Sequence, residues 1–86
     1  MSWGAGRRDY SESAIAGALV KAGCAVEYAV KRPYDLIVGR GGQNYLIEVK
    51  TGNAPLRLSQ VEFQKTWPGQ YAVVRSAEEA LRAVGL

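Results

Sequence analysis

The sequence predicts an α/β fold, an α+β chain built on one mixed sheet, and three observations carry that reading. Three runs rich in Val, Ile and Tyr follow one another, CAVEYAV, PYDLIVGR and NYLIEVKT, and a fourth, QYAVVR, comes after an interruption. Segments with capping-box starts and helical apolar spacing precede, interrupt and follow these runs. Gly and Pro are spaced as in an ordered chain, with no internal repeat, linker or low-complexity run.

The first element is a helix. Asp9-Tyr10-Ser11-Glu12 has the capping-box form and leads into Ile15, Ala18, Leu19 and Ala22, with Gly23 to close it, so a helix is expected over residues 10–22. The three apolar runs then read as consecutive antiparallel strands, the second and third joined by a hairpin loop at Gly39-Arg40-Gly41-Gly42-Gln43. A connection carrying Gly52 and Pro55 reaches Ser59. With Glu62 this residue forms a second capping box, opening a helix through Phe63 to Trp67 that Pro68-Gly69 stops. After the fourth strand, Ser76 and Glu79 form a third box, and a last helix carries Leu81 and Val84 inward and ends at Gly85. The order is α-β-β-β-α-β-α. A strand that follows a helix can pair in parallel, which makes the sheet mixed with helices packed against it.

Composition narrows the function. At 86 residues, 48% hydrophobic and 22% charged, the chain is expected to form a single domain over residues 1–86 with one thin core. It has no histidine, which removes Ser-His-Asp and Cys-His catalysis and every site that needs imidazole. One cysteine, Cys24, makes neither an internal disulfide nor a Cys-rich zinc site, and a reducing, cytoplasmic setting is expected. MSWGAGRRDY has no apolar signal core, and the stretch from Ala14 to Val20 is too short to cross a membrane. The net charge of +3 is compatible with nucleic acid without pointing to it.

Three polar groups stand where a sheet core has no need of them: Asp35 in PYDLIV, and Glu48 and Lys50 in YLIEVK. Strand alternation puts Glu48 and Lys50 on one face with Leu46, and Ile47 and Val49 on the other. Asp35 is on the neighbouring strand. Two converging carboxylates, with the Val49 backbone carbonyl between the acid and the lysine, are hard oxygen ligands of the kind that hold Mg²⁺ or Mn²⁺. A lysine beside the ion can orient the attacking water and offset charge on a phosphate. The same residues also fit the solvated open face of an antiparallel sheet, with Glu48 and Lys50 as a weak surface pair.

Glu12 shares a helical stripe with Ile15, Ala16 and Leu19, which suits a further metal ligand as well as it suits the last member of the Asp9 capping box. Gln60 falls on one side of the second helix with Phe63, Gln64 and Trp67. It needs no explanation as an ordinary first-turn residue, and it also fits a donor to phosphate or to the metal's water. Arg7, Arg8, Lys31, Arg32, Arg40 and Arg57 flank the acidic residues in sequence and are candidate nucleic-acid contacts, or simply a solvated surface.

From Asp9 through DLIVGRGGQNYLIEVKTG to QVEFQKTWPGQYAVVRSAEEALRAVG, the chain resembles the PD-(D/E)xK nuclease superfamily, and more closely the small stand-alone VRR-NUC domains, often phage-encoded, related to Holliday-junction resolvases. The resemblance implies a restriction-endonuclease-like core and a Mg²⁺- or Mn²⁺-dependent DNA endonuclease. Asp35, Glu48 and Lys50 match the family's acids and lysine, Gln60 its second-helix glutamine and Glu12 its first-helix acidic position. The proline stands one place early, as Pro33-Tyr34-Asp35, Thr51 replaces an acidic residue that commonly follows the lysine, and the Gly52–Ser59 connection is short. The expectation is cleavage of branched DNA, such as a Holliday junction, by a homodimer, since one small domain presents one active site. The alternatives are a catalytically silent binding domain of the same fold, and a nuclease toxin or restriction-type module acting on linear nucleic acid.

Overall fold

The structure, a computed structural model, describes residues 3–30 and 32–86, with side chains in the first helix from Glu12 onward. Its elements are α1 (Trp3–Lys21), β1 (Ala25–Tyr28), β2 (Leu36–Arg40), β3 (Gln43–Val49), α2 (Leu58–Thr66), β4 (Tyr71–Val74) and α3 (Ala77–Ala83). The order α-β-β-β-α-β-α is the expected one.

α1 begins earlier than residue 10, and the Asp9 side chain with its capping box lies outside the described residues. The helix closes as its sequence requires. Gly23 takes φ 99, its N–H donates to the Val20 carbonyl, and the N–H of Cys24 donates to Leu19. Those two bonds are a Schellman closure, and the buried Cys24 follows the glycine. α3 ends the same way, with Gly85 at φ 89 and bonds to Arg82 and Leu81. At its start Ser76 accepts from the Glu79 N–H, while the Glu79 carboxylate reaches one residue past the cap to the Arg75 N–H (2.7 Å). The second helix departs from expectation at its cap: α2 starts at Leu58 with Arg57 as the capping residue, and Ser59 is already helical.

β1, β2 and β3 are antiparallel, and β4 adds to β3 in parallel, giving one mixed sheet in the order β1-β2-β3-β4. The hairpin is tighter than its sequence suggests. Arg40 pairs with Gln43, so Gly41 and Gly42 alone make the turn, both at positive φ as a type I′ turn demands.

One face of the sheet carries Leu36, Val38, Ile47 and Val74, buried against Ile15, Ala16 and Leu19 of α1 and Ala80 and Val84 of α3. Each of these strand residues alternates with a neighbour turned to the other face. That second face carries Leu46 and Glu48 and is met by Gln60 of α2, so the acidic and aromatic residues share a layer separate from the main core. No helix among the described residues is long and apolar enough to cross a membrane.

Candidate active site

The bend that ends at Asp35 sets the site. The register pairs Leu36 with Ile47, yet the Asp35 N–H also donates to the Ile47 carbonyl at 2.8 Å. Two successive residues thus face one, the arrangement of a β-bulge, which ends regular pairing and re-aims a side chain. Asp35 therefore lies just before β2 and not inside it, as PYDLIV suggested. Its carboxylate takes over the next ladder position: Asp35 Oδ2 accepts from the Val49 N–H at 2.8 Å. With its own carbonyl accepting from Ala29, the residue is fixed by three bonds at the end of the sheet.

Glu48 stands in the last turn of β3's alternation and is buried, 3% exposed. Gln60 Nε2 donates to Glu48 Oε2 at 2.7 Å, and Lys50 Nζ pairs with the same oxygen at 3.3 Å. Both partners are shielded, with the Lys50 side chain 11% exposed, so this is no solvated surface pair. Glu48 Oε1 is also buried and has no hydrogen-bond partner among the described residues. Burial, followed by the charge of Asp35, pushes the Glu48 carboxyl above its ordinary range, and the Lys50 ammonium and the Gln60 amide only partly counter that.

Gln60 is held at both ends of its amide. It is 2% exposed, its Nε2 is given to Glu48 and its Oε1 accepts from the Arg57 N–H at 2.8 Å. One amide thus caps α2 and holds Glu48, which makes Gln60 a positioning residue.

Glu12 is half-buried on α1, on the stripe that enters the main core. Among the described residues no three His, Cys, Asp or Glu side chains gather so as to hold a metal, so Glu12 does not complete a set with Asp35 and Glu48. The two carboxylates nonetheless fit Mg²⁺ or Mn²⁺: such ions are usually held by one or two carboxylates with several waters retained, and a buried anionic oxygen without a donor is what a cation would satisfy.

The basic residues divide. Arg32 is exposed in the bend before Asp35, and Arg57 is exposed at the start of α2, both beside the site. Arg40 is at the opposite end of β2, about 17 Å from Asp35 at ~3.3 Å per strand residue, where its Nη1 donates to the Val84 carbonyl at 3.0 Å. That bond ties the hairpin to the end of α3 and removes Arg40 from the group flanking the site. Lys31 and the side chains of Arg7 and Arg8 lie outside the described residues.

Two residues at the site escaped the sequence reading. Arg75 follows β4 and donates from Nη1 to the Gly52 carbonyl at 2.6 Å, pinning the loop after Lys50. The signal was present, since a parallel β4 brings its C-terminal end beside that of β3. Tyr71, opposite Leu46, donates from its phenol to the Pro33 carbonyl at 3.1 Å and packs edge-on against Phe63. Burial and then the charges of Glu48 and Asp35 raise its phenol to about 12, which rules it out as a base or nucleophile near neutral pH.

No protein-family model, curated protein or solved structure matches the chain. The functional reading therefore stands on the residues themselves.

Proposed function

We propose that the protein is a Mg²⁺- or Mn²⁺-dependent DNA endonuclease, acting in the cytoplasm on branched DNA as a homodimer. The observation that carries the proposal is the buried group of Glu48, Lys50 and Gln60 beside Asp35, with one Glu48 oxygen left without a donor. Burying a carboxylate against an amine adds little to a fold's stability, since an apolar set of similar volume is often as stable or more so. Such a cluster is more readily explained by chemistry.

Asp35, Glu48 and the Val49 carbonyl would hold the ion, which supplies positive charge for a phosphate oxygen and a more acidic bound water. The chain's own contribution is position and charge. The Val49 N–H fixes the Asp35 carboxylate, and the Gln60 amide fixes that of Glu48. Lys50 faces the same oxygen as Gln60, where its ammonium can orient the attacking water and offset negative charge on the phosphate during hydrolysis. Arg32 and Arg57, both exposed, would contact flanking phosphates.

The test is incubation of the wild type, Lys50→Ala and Glu48→Gln with labelled linear, flapped and four-way-junction DNA, in Mg²⁺, Mn²⁺ or EDTA. The expected result is metal-dependent cleavage by the wild type alone, with preference for the branched substrates. Cleavage that survives in both variants defeats the site assignment, and tight binding without any cleavage indicates a silent binding domain.

A further inference from the structure

An aromatic row leads away from the acidic site. Tyr71 lies where the charges of Glu48 and Asp35 both reach it, and its ring meets Phe63 edge-on at 5.1 Å. Tyr34, the residue before Asp35, meets Phe63 at 5.6 Å. The Trp67 indole also stacks on Phe63, at 5.2 Å and 17°. Trp67 is 43% exposed, yet its position is set by more than that stack. Its backbone N–H donates to the Phe63 carbonyl, and the chain bends at Gly69, where an added Cβ would stand 2.8 Å from the indole Nε1. Only glycine fits there without moving the ring. An exposed indole already stacked on a neighbouring ring offers a flat ligand a stacking surface.

We propose that Trp67, held on Phe63, is a stacking site for an unpaired nucleobase next to the phosphate that enters the acidic site. This rests on the nuclease reading for the phosphate and goes beyond it in naming the substrate class, nucleic acid with a single-stranded or splayed segment. A nucleobase is the occupant because the row is continuous with the site through Tyr34 and Tyr71, and because exposed cations, Arg32, Arg57 and Lys65, lie on the bend and the helix that carry it. Base-on-aromatic stacking combined with such charges is how single strands are bound without sequence readout. Bases inside a duplex have both faces covered and cannot use the indole.

The experiment uses the full chain with Trp3→Phe, which leaves Trp67 as the sole indole. Oligothymidine, the same strand with one abasic position, and a duplex are titrated in EDTA, where no cleavage occurs, and indole fluorescence and affinity are read. The expected result is quenching by the single strand and an affinity that falls about tenfold in Trp67→Ala, with Trp67→Phe recovering most of it and duplex affinity unchanged. The abasic position should cost the parent protein affinity and Trp67→Ala none. Equal losses on single strand and duplex, or no quenching, overturn the proposal. Cleavage assays separate the two readings: quenching and abasic sensitivity without any cleavage keep the stacking site and defeat the nuclease, and cleavage without them does the reverse.

Discussion

Glu48 concentrates the cost and the use of the site in one side chain. Its folded carboxyl is raised above its ordinary value of 4.5, so its contribution to stability is complete below that value and is lost as pH rises through the folded value. Glu48→Gln keeps an acceptor for Gln60 and removes the buried charge. Its stability relative to the wild type is expected to be lowest near pH 4 and to rise with pH, the difference read from urea denaturation, while cleavage is lost. Tyr71 shows the same sign at the alkaline end. The stability tied to its protonated phenol is present below pH 10 and is lost as pH rises through about 12. Absorbance titration should find one tyrosine ionising last, near 12, and Tyr71→Phe should remove that step and lower stability at neutral pH by about 1 kcal/mol for the lost bond to Pro33.

Among the elements, α2 is the one whose apolar anchorage is thinnest. Gln60 is its buried residue, and the helix reaches the sheet through that amide and through Phe63. Gln60→Leu strips the Arg57 N–H of its acceptor and Glu48 of a donor, and is expected to destabilise by about 1–3 kcal/mol and to speed hydrogen exchange selectively over α2. Gly69→Ala acts at the other end of the same helix. It is expected to shift the indole against Phe63, which a change in near-ultraviolet circular dichroism would report before any loss of helix.

Over the whole molecule the sheet separates two tasks. One face is apolar and packs α1 and α3; the other carries the charged group under α2. Mg²⁺ binding at Asp35 and Glu48 would relieve the repulsion between them, so added Mg²⁺ should raise the melting temperature of the wild type and leave that of Glu48→Gln unchanged. The homodimer is checked by light scattering at micromolar concentration, where a species of twice the 9.3 kDa chain mass is expected.

Much of this was legible in the chain, because local rules dominate where local bonds do. The Gly23 and Gly85 closures, the Ser76 cap, the order of elements and the shared face of Glu48 and Lys50 follow from φ preferences, capping and the two-residue period of a strand. The hairpin turn and the α2 cap were each displaced by a residue or two, since two adjacent glycines suffice for the turn and the Gln60 side chain caps the Arg57 N–H. Tertiary packing alone decided the rest. It took Arg40 to the far end of the sheet and bound it to Val84. It also turned Gln60 inward onto Glu48 and brought Tyr34, Phe63 and Trp67 into one row with Tyr71. The sequence by itself determined which residues could do chemistry. Which of them meet was decided by the bulge at Asp35 and the parallel pairing of β4, long-range backbone contacts that no local pattern encodes.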